Sequence, residues 1–107
     1  MDNIQIIPEK NIAIVKINTK IFPLDIIYSA SYVFLDRAYI SLDGDPEKQI
    51  NVFIKPKENQ NLQTIGQDFN NEIINYAVYK VQSEKAKELR ETFMKRILAT
   101  NLEGEKE

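Results

Sequence analysis

The sequence predicts a single α+β domain in which an antiparallel sheet of three or four strands packs against two or three helices. Three observations lead to this expectation: a β-branched run near the N-terminus, two alternating segments joined by a turn, and a helical period over residues 62–100. A chain of 107 residues suits one domain better than two. Within the single domain 1–107, we expect an ordered core over residues 4–100 and a frayed tail over residues 101–107.

The N-terminal part of the chain carries two strand signals and then a helix signal. The run "NIAIVKI", residues 11–17, is almost all β-branched or apolar, which predicts a strand with scope for burial on both faces. The preceding "IQII" can pair with it across residues 8–10. In "FPLDIIYSASYVFLD" the apolar period becomes helical, and Pro23 suits the first turn, where its missing N–H costs nothing. The helix face predicted for the core consists of Leu24, Ile27, Tyr28, Ser31, Phe34 and Leu35.

The segments "RAYISLD" and "QINVFIK" alternate with period two and flank the turn signal "DGDPEK", which predicts an antiparallel hairpin. A turn is a far commoner use of "DGD" than a calcium loop, whose further ligands are missing here. The predicted core face carries Ile40, Leu42, Val52 and Ile54, and the other face carries Arg37, Tyr39, Ser41, Asp43, Asn51, Phe53 and Lys55. Two aromatic side chains therefore share the second face, where they either lie under a helix or form a binding patch.

The C-terminal third is helical in pattern, but its apolar face changes direction. Over residues 62–81 the apolar positions spread around more than half of the helix, which predicts burial against the sheet and a second layer. From residue 86 onward a narrow stripe points to the opposite side. A break at Gln82–Ser83, with Ser83 as N-cap, is the preferred explanation, and the alternative is one long helix that presents its second half to another chain. The stripe consists of Ala86, Leu89, Phe93 and Ile97.

Composition excludes several classes of function. The sequence has no histidine and no cysteine, so it lacks Ser-His and Cys-His nucleophile pairs and the usual ligands of zinc and iron. The net charge is -2, and no apolar run is long enough to span a bilayer, which disfavour nucleic-acid and membrane partners. We expect a protein that is not an enzyme, needs no cofactor and resides in the cytoplasm. A chain without disulfides suits that reducing compartment.

The stretch "DFNNEIINYAVYKV", residues 68–81, mixes polar and apolar residues on one predicted helix. Its Phe69, Ile73, Tyr76 and Ala77 side is expected to be structural, and Tyr28 is likewise expected in the core with its hydroxyl at the rim. The polar edge is the candidate recognition surface for a protein or peptide. The complete set of candidate binding residues is Glu72, Asn75, Lys80, Arg90, Tyr39 and Phe53.

Three segments, "YSASYVFLDRAYISLDGD", "FNNEIINYAVYK" and "ELRETFMKRILA", together resemble the HxsD family of His-Xaa-Ser systems over about residues 21–100. Residues 73–75 stand where that family has a Leu-Leu-Asn motif, and Arg90 fits the arginine of its last helix. Tyr79 and Lys80 occupy the place of a Leu-Arg pair. Tyr76 departs from the family pattern, which has aspartate after the asparagine.

The resemblance implies an accessory protein that works beside radical SAM maturases acting on a repeat-bearing peptide. A non-catalytic adaptor that binds the peptide or the maturase is therefore the preferred function. One alternative is a homo-oligomeric structural protein whose C-terminal helix forms a dimer contact. A carboxylate- or tyrosine-based enzyme is the least favoured alternative, because such groups need tuned surroundings to work near neutral pH.

The missing histidine and cysteine residues generate a first prediction. The purified protein is expected to hold no stoichiometric zinc or iron, because only carboxylates, carbonyls and amides remain as ligands. Elemental analysis after exhaustive dialysis measures this directly. One tightly held transition metal ion per chain would contradict the non-enzymatic interpretation and would require an all-oxygen site.

Overall fold

The computed structural model describes the backbone of residues 2–106 and the side chains of residues 2–98. Four strands and two α-helices confirm the α+β class. The elements in chain order are β1 (Ile4–Ile7), a 3-10 turn (Pro8–Lys10), β2 (Ile12–Asn18), α1 (Leu24–Val33), β3 (Ala38–Asp45), β4 (Gln49–Pro56) and α2 (Leu62–Lys106). Contacts group the chain into two units, Met1–Ala77 and Val78–Glu107.

The four strands form one antiparallel sheet in the order β1-β2-β4-β3. The pairing of "IQII" with the second strand is as expected, and the connection ends in Asn11, whose φ of 55° is a left-handed conformation that asparagine tolerates. The hairpin of β3 and β4 turns through residues 46–48, and Gly44 precedes this turn inside β3 with a φ of 121°. A Cβ atom at Gly44 would overlap the Gln49 carbonyl oxygen, so this position requires glycine.

The register of the hairpin matches the predicted core face. Ile40 lies opposite Ile54, and Leu42 lies opposite Val52. Val52 and Ile54 are fully buried, and the other two are half-buried against the same core. Helix α1 and the first part of α2 bury apolar side chains on this one face of the sheet. The core cluster is Ala13, Val15, Ile17, Ile26, Ile27, Ala30, Phe34, Ala38, Ile50, Val52, Ile54, Ile65, Phe69 and Ile73.

Helix α1 buries a stripe that is rotated from the predicted one. Ile27, Ala30 and Phe34 are central to it, whereas Tyr28 is 56% exposed and Leu35 is exposed. The prediction that Tyr28 belongs to the core is therefore wrong. Consecutive helical residues differ by about 100°, so burial of Ile27 turns Tyr28 toward the rim. The apolar period of the sequence fits both of these neighbouring helix faces, so it could not predict which one is buried.

The first part of α2 packs as expected. Phe69 and Ile73 are buried, and Tyr76 and Ala77 are half-buried against the core. Phe69 also meets Phe34 of α1 edge to face, with ring centroids 5.3 Å apart. Leu62 and Ile65 also belong to this packing. The predicted second layer is wrong for the described residues, because four further apolar side chains of this segment are exposed: Ile74, Val78, Tyr79 and Val81.

The preferred break at Gln82–Ser83 is also wrong, since α2 is one helix from Leu62 to Lys106. No glycine or proline interrupts residues 67–103, and the segment after Ser83 is rich in Glu, Lys, Ala and Leu, which favour helix. Within the unit Val78–Glu107, the side chains of Leu89, Phe93 and Ile97 are exposed. The fraying expected for residues 101–107 stays a prediction, because their side chains and residue 107 itself lie outside the part of the chain that the structure describes.

The core register generates a second prediction. Val52→Ala and Ile54→Ala should each lower the free energy of unfolding by about 1 to 4 kcal/mol, because each removes methyl groups from a filled core. Lys55→Ala, on the other face of the same strand, is the control and should change stability by less than about 0.5 kcal/mol. Denaturant titration measures all three variants. Equal midpoints for the three would contradict the register.

Candidate functional site

Among the described residues of Met1–Ala77, no helix covers one face of the sheet, because the buried apolar residues of α1 and of the first part of α2 belong to the core on the opposite face. Alternation along the paired strands places fourteen side chains on this open face. Five of them are apolar. The apolar members are Ile7, Ile12, Ile14, Tyr39 and Phe53, and the polar members are Gln5, Lys16, Asn18, Ser41, Asp43, Asp45, Gln49, Asn51 and Lys55.

Tyr39 and Phe53 are diagonal neighbours on the open face, since Ser41 lies directly opposite Phe53 in the register. Tyr39 is 64% exposed, and Phe53 is half-buried. The Lys57 ammonium lies 5.1 Å from the centroid of the Tyr39 ring and donates a 2.8 Å hydrogen bond to the Leu35 carbonyl oxygen. This contact restrains the exposed ring. The sequence left open whether a helix covers these two rings. Among the described residues of Met1–Ala77, no helix covers them.

A small polar cleft of about 210 Å³ lies between the C-terminal end of α1 and the first part of α2. Arg37 dominates it: its guanidinium lies 3.2 Å from an Asp68 carboxylate oxygen, 3.1 Å from the Gln60 amide oxygen, and 4.9 Å from the centroid of Phe34. Glu72 lines the same cleft. The expectation that Arg37 shares the face of Tyr39 is wrong, because Arg37 precedes β3 and its side chain reaches α2 instead. The exposed pair with Asp68 contributes at most about 1 kcal/mol to stability.

A larger apolar groove of about 330 Å³ lies at the opposite side of α2. Its polar rim is built by Asn3 and Asn70, whose amides exchange hydrogen bonds of 3.0 and 2.8 Å. Asn3 also donates to the Lys16 carbonyl oxygen at 3.1 Å. Ile21 and Ile74 line the groove with exposed side chains. No sequence pattern links residues 3 and 70, so the sequence did not predict this groove.

The structure distributes the six candidate binding residues over several surfaces. Tyr39 and Phe53 lie together on the open sheet face. Glu72 faces the Arg37 cleft, whereas Asn75 is exposed and does not line that cleft. In the unit Val78–Glu107, Lys80 is half-buried and Arg90 is exposed. Their shared role in recognition remains a prediction.

The described residues contain no group of three or more acidic side chains placed to hold a metal ion. Across this same part of the chain, no helix combines the length and apolar character that a bilayer span requires. The groups that line the surfaces described above are aromatic rings, aliphatic side chains, amides and scattered charges.

Comparison with known proteins gives one result that bears on these surfaces. The family model described as "His-Xaa-Ser system protein HxsD" matches residues 17–102 of the chain. No curated protein and no solved structure matches the chain. The matched range takes in α1, β3, β4 and most of α2, and it confirms the resemblance that the sequence predicts over residues 21–100.

Proposed function

Since the chain belongs to the His-Xaa-Ser system protein HxsD family, we propose that it is a non-catalytic accessory protein of a peptide-modification system of this type. In this proposal it binds the peptide that is modified or the radical SAM maturase that modifies it. The chain itself supplies no reacting group in this role. The absence of cysteine fits work in a reducing compartment such as the cytoplasm.

The observation that carries the proposal is the uncovered sheet face with Tyr39 and Phe53. Monomeric domains seldom leave a connected apolar surface without a use, and exposed aromatic rings are enriched where proteins bind one another. Ile14 adds to the same surface, although Phe53 and Gln5 on the neighbouring strands reduce its own exposure to 8%. The lysines around the rings provide the polar rim that is typical of such contacts.

The proposal predicts that Tyr39→Ala and Phe53→Ala weaken binding of the peptide or maturase by about fivefold to thirtyfold, as loss of an aromatic anchor usually does. Isothermal titration against each purified partner measures the affinities. Tyr32→Ala is the matched control, because Tyr32 is an equally exposed tyrosine on α1, away from the open face. Glu72→Ala and Asn75→Ala test the polar edge of α2 in the same assay. If neither partner binds the wild-type chain, the proposed function is wrong.

A second candidate function is self-association through the exposed stripe of Leu89, Phe93 and Ile97. Three large apolar side chains at helical spacing are costly to leave in water, and a second copy of the helix can cover them. This assembly agrees with the structural alternative drawn from the sequence, and it is compatible with an accessory role.

The dimer is expected to dissociate when Leu89 and Phe93 are both replaced by Glu, because two carboxylates then face the contact. Light scattering at tens of micromolar should give a dimer mass for the wild type and a monomer mass for the variant, with unchanged helix content. The control is Lys87→Glu with Lys95→Glu, which places the same side chains on the far side of the helix. A wild-type chain that is already monomeric would contradict this assembly.

A further inference from the structure

The outer edge of β3 carries backbone hydrogen-bonding groups that β4 does not use. The N–H of Lys57 donates to the Arg37 carbonyl oxygen at 3.1 Å, so these two residues form a hydrogen-bonded pair. In an antiparallel ladder, every second residue then turns its N–H and C=O to the partner strand. Ile40 and Leu42, which lie between those positions, point their N–H and C=O away from β4. Among the described residues, no further strand pairs with this edge.

Edge strands are normally protected against pairing, and β3 has little of this protection between Ala38 and Leu42. Natural edges are shortened, bulged, or carry charged residues or proline. The other edge strand, β1, has only four residues, and α2 packs closely on it, since a Cβ at Gly66 would lie 2.9 Å from Ile4. In contrast, β3 runs for eight residues without lysine or proline. Its exposed edge is therefore a template for another strand.

A pocket of about 240 Å³ lies beside the end of β3, between this strand and α1. Tyr28 of α1 lines it and has an exposed side chain. Its apolar lining is formed by Leu24, Tyr28, Leu42, Gly44, Pro46 and Ile50. This volume is below the range usual for drug-sized ligands, and it suits one or two side chains.

The charge around the pocket is negative. Asp43 lines it, and Asp45 and Glu47 follow at the turn, where the Asp45 carboxylate accepts a 2.9 Å hydrogen bond from the Glu47 N–H. Lys48 is the one basic residue of this turn. A partner that enters the pocket with an apolar side chain gains further attraction if a basic residue follows it.

We propose that β3 binds an extended peptide segment as a fifth strand of the sheet, with an apolar side chain of the peptide in the α1–β3 pocket and a neighbouring basic residue beside Asp43 and Asp45. The backbone groups of Ile40 and Leu42 hydrogen-bond to the peptide backbone, which contributes affinity for any peptide sequence. The pocket determines which peptide side chain is preferred. Because side chains of a strand alternate, the basic neighbour lies on the open face beside Asp43, and peptide residues further along the strand reach Tyr39 on that same face. This inference rests on the proposed function as a peptide-binding protein and specifies how the peptide is held.

The test uses the full chain and a phage-displayed library of random 12-residue peptides, so it does not depend on the identity of the natural partner. Selected peptides are synthesised, and their Kd values are measured for the wild type and two variants. Leu42→Pro removes an outward N–H that β4 does not need, which an edge strand tolerates. Tyr28→Glu places a carboxylate at the pocket mouth, and Tyr32→Glu is its control on the same helix.

We expect selected peptides to share an apolar residue next to a basic one, and to bind Leu42→Pro and Tyr28→Glu at least about tenfold more weakly while Tyr32→Glu binds as the wild type does. Hydrogen exchange gives a readout that needs no variant: the amide protons of Ile40 and Leu42 should exchange more slowly when a selected peptide is bound. Circular dichroism verifies that each variant is folded.

Three results would overturn the inference. The first is a set of selected peptides whose affinities are unchanged in both variants and whose binding leaves the two amides unprotected. The second is a library that yields no binder. The third is a wild-type dimer that Leu42→Pro dissociates, which would assign the edge to a second copy of the chain. A maturase that binds normally while the peptide tests fail would retain the proposed function and reject this binding mode.

Discussion

The antiparallel register between β3 and β4 is the constraint on which the rest of this structure depends. With Ile40 opposite Ile54 and Leu42 opposite Val52, one face of the hairpin is aliphatic and can be buried. A shift of one residue would place Tyr39, Ser41 and Asp43 under the helices instead. The short turn at residues 46–48 holds the register, and Gly44 beside it permits the close approach of the Gln49 carbonyl, where a side chain would not fit.

Once this face is chosen, the positions of the helices follow. Ile27 and Phe34 of α1 and Phe69 and Ile73 of α2 all require cover, and the aliphatic face is the surface large enough to provide it. Placing both helices there leaves the second face open and leaves β3 at the edge, bordered by α1. The uncovered aromatic pair and the free strand edge thus both follow from the packing of the helices on the aliphatic face of the sheet.

The two surfaces offer different kinds of recognition. The open face presents rings and aliphatic groups, which bind through area and shape and discriminate modestly. The edge of β3 presents backbone donors and acceptors in a fixed spacing, which only another extended chain can match. In the proposed function, in which the chain holds a peptide for an enzyme, both surfaces would contribute, since the added strand would meet the pocket on one side and Tyr39 on the other.

Local pattern was sufficient for the strands, for the hairpin and for the core face of that hairpin, because alternation and turn residues are short-range signals. Tyr39 and Phe53 were also identifiable as partners on one face for this reason. The direction of Tyr28 was not, since two helix faces about 100° apart fit the same apolar period. The continuity of α2 was misjudged because a change of apolar face resembles a break, although high helix propensity through residues 83–98 carries the helix across it.

The sequence by itself determined the α+β class, the register of the hairpin, the membership in a family and the exclusion of histidine and cysteine chemistry. Only the tertiary structure decided which surfaces remain uncovered. The contacts of Arg37 with Asp68, the amide pair of Asn3 and Asn70, and the pocket beside β3 join residues far apart in the chain. Such contacts depend on how helices settle on a sheet, and the free energy of that packing is summed over many side chains, so no short stretch of sequence encodes it.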